Sequence, residues 1–106
     1  MDFFNTKGEK VDRPKEYEWR PAVYGALIED GKLLFIKPNW DDKYSLPGGS
    51  MQKGEDLRES LKREFLEETG YEIAIEANPF FVESKLFGDK EKATFFQRIS
   101  MYYRVK

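Results

Sequence analysis

Residues 49–71 read GSMQKGEDLRESLKREFLEETGY, a stretch in which glutamates recur at positions where a helix would normally place apolar side chains. A helix advances by about 100° per residue. Taken from Leu57 at 0°, Leu61 falls near about 40°, Phe65 near about 80°, Glu64 near about 340° and Glu68 near about 20°. Glu67 lies at the border of the stripe, near about 280°, while Glu59, near about 200°, sits opposite it as a solvated glutamate should. An ionised carboxylate set among apolar residues costs several kcal/mol, on the order of the figures for unpaired buried charge, unless a partner offsets it. A divalent cation such as Mg²⁺ is one such partner, because it takes a few carboxylate oxygens and fills its other positions with water and phosphate oxygens. The i, i+3, i+4 spacing of Glu64, Glu67 and Glu68 predicts that the three side chains converge. The bland alternative is an amphipathic surface helix whose glutamates pair fortuitously and whose Arg63 bonds Glu67 at i, i+4.

The wider spacing separates these readings. Gly49, Glu55, Arg63, Glu64, Glu67, Glu68 and Gly70 stand at the offsets of the Nudix box, and the segment resembles that family. Seven such matches at one given start arise by chance at roughly 10⁻⁸ for average residue usage. Phe65 and Tyr71 occupy slots where the family usually has an aliphatic residue; bulk and apolarity are kept. The resemblance implies Mg²⁺-dependent hydrolysis, with Mn²⁺ as the other candidate cofactor, of a diphosphate bond in a nucleoside diphosphate linked to a further group. It implies that Glu64, Glu67 and Glu68 bind metal together with a backbone carbonyl at Gly49; similar proteins differ in which glutamate takes the proton, and Glu64 is the preferred base here. Arg63 would orient the carboxylates, and Glu55 would steady the metal-binding loop; its position at the first helical turn also suits it to cap backbone N–H groups. Some relatives take the base from a later loop, where Glu91 is the candidate. The competing reading from another class is a non-catalytic or truncated Nudix-like module that binds a nucleotide without turning it over.

Composition narrows the rest. The chain has 106 residues and a net charge of −2, which predicts one domain with a modest core and no nucleic-acid surface. It has neither cysteine nor histidine. Disulfides, thiolate zinc sites and cysteine nucleophiles are excluded, and acid–base chemistry falls to carboxylates. The missing cysteine also separates it from the isopentenyl diphosphate isomerases that resemble the family. The start lacks a signal-peptide pattern and no run approaches the length of a membrane span, so a cytoplasmic protein without membrane contact is expected. A nucleotide-type small molecule is the expected partner. Arg20 is a candidate substrate contact, and Trp19, Trp40 and Tyr17 could stack on a base, although packing at the core or rim is the commoner use of such residues. Phe87-Gly88-Asp89 stands where some subgroups show a diagnostic proline or tyrosine, so no subgroup is assigned.

Residues 1–18 predict an irregular arm, with the domain at 19–106. Asp30-Gly31 joins apolar runs at 22–29 and 32–37 into a hairpin. A short strand at 44–46 leads to a tight turn at Pro47-Gly48-Gly49. A helix spans 57–69 and stops at Gly70. Strands follow at 73–77, where Ile73, Ile75 and Ala77 alternate, and at 80–87 and 95–105, the last two around a polar loop at 88–92. Ile99, Met101, Tyr103 and Val105 share one face of the final strand. The fold class is therefore α+β, a Nudix-like mixed β-sheet sandwich with helices that lacks the C-terminal strand and helix part. One helix cannot cover both faces of such a sheet, which predicts a homodimer or an adhesive bare face; a monomer by light scattering would count against it.

Overall fold

The computed structural model describes residues 3–4, 7–11, 18–37, 42–89 and 94–106. The elements in chain order are β1 (Phe3–Phe4), β2 (Lys10–Val11), β3 (Glu18–Glu29), β4 (Lys32–Leu33), β5 (Gly48–Ser50), α1 (Leu57–Thr69), β6 (Phe81–Asp89) and β7 (Thr94–Val105). The main sheet is five-stranded and mixed, in the order β4-β3-β7-β6 with β5 also on β3. β3 and β7 run parallel over Glu18 to Leu27 and Phe96 to Val105, and every other pairing is antiparallel. The α+β Nudix-like class is the one observed. None of the described helices is long and apolar enough to cross a membrane.

The expected helix is present with the expected ends. Asp56, not the expected Glu55, caps it, its carboxylate accepting from the Arg58 N–H at 3.1 Å while the Glu55 carboxylate is taken by Gln52 and Arg63, and Gly70 closes it at φ 78° with its N–H on the Leu66 carbonyl. The hairpin is also present, with Asp30 at φ 51° and Gly31 at φ 72°, the left-handed pair that suits strand twist. Its second strand is shorter than expected. After Leu33 only a bridge from Ile36 to Ser45 continues, because the same edge of β3 is occupied at Ala22 to Tyr24 by β5. The stretch at 44–46 likewise reduces to that bridge, and the expected glycine turn is strand: Gly48 to Ser50 pair with β3. Gly48 adopts φ 148°, and a Cβ there would lie 2.0 Å from the Val23 carbonyl oxygen, so only glycine brings this backbone so close to β3. The expected strand at 73–77 is a single bridge from Ile75 to Val105, with Ala74 and Glu76 bonded to the end of β7. The N-terminal arm is not wholly irregular, since β1 and β2 pair in a small sheet of their own.

Alternation along β3 and β7 decides what each face carries. Val23, Leu27, Tyr103 and Val105 meet Leu61 and Phe65 of α1 in the core, where the helix approaches so closely that Gly25 faces the Phe65 ring. Burial of a side chain such as Phe65 contributes about 1.5–3 kcal/mol. The opposite face carries Tyr24 stacked on Tyr102, with ring centroids 5.3 Å apart, and Phe87 stacked on Phe96 at 5.1 Å. No helix among the described residues covers this face, and Phe81 on it remains exposed.

Candidate active site

The segment before α1 and the helix itself are tied together by one guanidinium. Arg63 Nε donates to Glu55 Oε2 at 2.7 Å and Nη2 to Glu55 Oε1 at 2.9 Å, a forked pair that fixes the planes of both groups. Its Nη1 donates to Glu64 Oε1 at 3.1 Å and to Glu67 Oε2 at 3.2 Å. The Gln52 N–H also donates to Glu55 at 2.7 Å, which anchors the loop that precedes the helix. The Arg63 hydrogen bond, then that of Gln52, holds the Glu55 carboxyl down at about 2. Glu55 therefore favours the folded state above its ordinary 4.5, and that contribution is lost as pH falls towards about 2.

Glu64 and Glu68 face a different environment. They line a cleft of about 610 Å³ together with Tyr24, Lys37, the glycine strand and Arg98. Glu64 packs so tightly on Gly49 that a Cβ there would lie 2.9 Å from Glu64 Oε2. Glu68 accepts the Gly48 N–H at 3.4 Å. Desolvation pushes the Glu68 carboxyl up to about 7 against the pull of that N–H, and the neighbouring Glu64 and Glu67 charges add to the rise. The side chain keeps part of its surface in solvent, which screens its charge. Because the folded value lies above the ordinary 4.5, Glu68 supports folding at low pH and ceases to do so as pH rises through about 7. We expect urea denaturation of the metal-free protein to show stability falling across that window, and Glu68→Gln to flatten the slope. An unchanged slope in the variant would assign it to other groups.

The expected convergence of three carboxylates is only partly formed. Glu67, with its side chain 58% exposed, turns to Arg63, and among the described residues no three acidic side chains stand ready as a metal cage. Arg63 draws Glu67 aside while Glu64 and Glu68 remain together in the cleft. The donor set still fits a hard divalent cation. It offers two carboxylates, with the Gly48 to Ser50 strand lining the same cleft, and the chain has no histidine or cysteine to supply a softer ligand. A carboxylate whose charge is poorly compensated, as in Glu68, is what such a cation would relieve.

Other candidates lie elsewhere. Arg20 does not line the cleft; its Nη2 binds Glu18 at 2.8 Å and its guanidinium lies over the Phe96 ring at 4.2 Å. Trp19 is 65% exposed and lies outside the cleft lining. Tyr17, Trp40 and Glu91 fall outside the described residues. The sequence reading missed Arg98, Tyr24, Lys37 and Ser50, all of which line the cleft. The alternation that turned Ile99 and Met101 towards the core already set Arg98 on the other face, but not beside the glycine strand.

The NUDIX domain family model matches residues 18–104. The chain belongs to the Nudix family. It is 37% identical over 73 residues to a Bacillus subtilis (strain 168) protein named "Putative 8-oxo-dGTP diphosphatase", a match covering 65% of this chain and 46% of that one. Among solved structures, the MutT protein from Methanosarcina mazei Go1 aligns with a TM-score of 0.62 at 24% identity, covering 84% of this chain and 64% of that one. A NUDIX hydrolase from Nitrosomonas europaea aligns at 0.60 and 23%, covering 84% and 60%. These structures share the Nudix fold, and this chain spans about half the length of the curated relative it matches.

Proposed function

We propose that this Nudix domain hydrolyses a diphosphate bond in a nucleoside diphosphate linked to another group, with Mg²⁺ or, alternatively, Mn²⁺ as cofactor. The observation that carries the reading is the placement of Glu64 and Glu68 side by side in one cleft beneath the Gly48 to Ser50 strand, backed by the Arg63 hub. When bound, the cation supplies charge neutralisation on the diphosphate oxygens and acidifies water. Glu64 and Glu68 would hold it, with a backbone oxygen of the glycine strand as a further ligand and Glu67 able to join from Arg63. Glu64, buried on Gly49 and fixed by Arg63, is our preferred base. Glu55 acts through Arg63, locking the fork that orients Glu64 and Glu67. The name of the Bacillus subtilis relative puts 8-oxo-dGTP among the substrates to try.

The test is a panel of nucleoside triphosphates, including 8-oxo-dGTP, with nucleotide sugars, ADP-ribose and dinucleoside polyphosphates, each assayed with Mg²⁺ and with a chelator. We expect at least one member to be hydrolysed to a nucleotide and the phosphorylated remainder, which is pyrophosphate when the substrate is a nucleoside triphosphate, and the chelator to abolish it. A folded protein inactive on every member would overturn the hydrolase reading. The diversion of Glu67 to Arg63 favours one rival, a module that binds nucleotide without turnover. Metal-dependent binding with no product formed would decide for it.

A further inference from the structure

Two kinds of charge share the cleft. Glu64 and Glu68 enter it from α1, whereas Arg98 enters from β7. A long cation facing two carboxylates across a small cleft would be expected to fold onto them, as Arg63 does on Glu55 and Glu64. Arg98 does not. Its Nη1 donates to the Tyr24 hydroxyl at 2.9 Å and its Nη2 to the Ser50 hydroxyl at 3.4 Å. Among the described residues no carboxylate lies within 4.0 Å of it, and its buried Nε has no hydrogen-bond partner. Both partners are neutral, so they position the guanidinium without cancelling its charge. Tyr24 is itself fixed by the stack on Tyr102. A restrained, uncompensated guanidinium of this kind is suited to a phosphate, whose oxygens match its planar fork.

We propose that Arg98 is a substrate-binding residue of this site, taking a phosphoryl group of the diphosphate on the sheet side of the cleft, with Tyr24 and Ser50 as its positioning residues. The proposal rests on the diphosphate reading above and adds the group that separates the two phosphates: one meets the glutamate wall, the other the guanidinium. Lys37, which also lines the cleft, adds positive charge to it.

The experiment uses inorganic pyrophosphate as the probe, titrated calorimetrically into the protein with Mg²⁺, alongside steady-state kinetics on whichever panel substrate turns over. Arg98→Met is expected to weaken pyrophosphate binding about 10- to 100-fold, the range of a lost charge-assisted pair, and to raise KM more than it lowers kcat. Arg98→Lys should recover part of the affinity, since it keeps the charge and loses the fork. Tyr24→Phe should weaken binding by a smaller factor, about threefold to tenfold, while keeping the ring stack. Arg104→Met, an exposed change of equal charge on the same strand, controls for net charge. If Arg98→Met does not fold, Arg98→Lys and Tyr24→Phe carry the test. Pyrophosphate affinity equal to wild type in the folded Arg98 variants, or no binding by the wild type, overturns the proposal. Arg98-dependent binding by a protein that hydrolyses nothing supports it and removes the hydrolase reading instead.

Discussion

Glu68→Gln should lower kcat by about 10²–10⁴-fold, the range attached to removal of a positioned acid–base group, while the protein stays folded. The amide keeps the shape of the side chain and can still accept the Gly48 N–H, but it carries no charge for a cation and takes up no proton. Glu64→Gln should do as much, because Glu64 shares the cleft and rests against Gly49. The double variant should be little worse than either single one, since groups acting as a unit are strongly non-additive. Glu67→Gln should cost less, as Glu67 is mostly exposed and sits on Arg63 outside the cleft lining. Single-turnover kinetics with a substrate found by the panel would check the order. A Glu67 variant worse than both others would mean that the working site draws Glu67 away from Arg63.

Phe65→Ala should remove about 3–5 kcal/mol of stability, as large-to-small changes of buried aromatics do. Small domains hold only about 5–15 kcal/mol in total, so this change takes a large share. Phe65 has no exposed surface and belongs, with Leu61, to the buried cluster that joins α1 to Val23, Leu27 and Val105 of the sheet. Its ring also sets the space at Gly25, where a Cβ would lie 2.9 Å from Phe65 Cε2 and 3.3 Å from Val105 Cγ1. Gly25→Ala should therefore destabilise by about 1–3 kcal/mol through overpacking. In a Phe65→Leu background that cost should shrink, because the ring edge is gone and the two sites are in contact. Urea denaturation of the four proteins gives the coupling. Additive effects would show that the helix shifts away from the sheet rather than packing against a fixed surface.

Gly70 ends α1 at the same place in sequence and structure, the start at Leu57 agrees although Asp56 and not Glu55 caps it, and the Asp30-Gly31 turn places its hairpin. Those features are local, set by a few neighbouring dihedrals and one or two hydrogen bonds, so the chain carries them in plain order. The box residues likewise identify the family without a fold. The glycine strand was harder to see, since Pro-Gly-Gly ordinarily turns the chain; here the Gly48 backbone is pressed onto Val23, a residue of another strand. The stretch at 73–77 alternates like a strand but finds only the last residues of β7 to pair with.

What the sequence determined by itself was the helix with its ends, the carboxylates at helical spacing, the oxygen-only donor set and the family. What only the tertiary structure decided was the allocation of those carboxylates and their partners: Glu67 to Arg63, Glu64 and Glu68 to the cleft, Arg20 to Glu18, and Arg98 to Tyr24 across a separation of 74 residues. The physical reason is range. Helical spacing and capping act over a turn, whereas the charge that a side chain meets depends on which strand edges are paired and on which face of the sheet the helix lies.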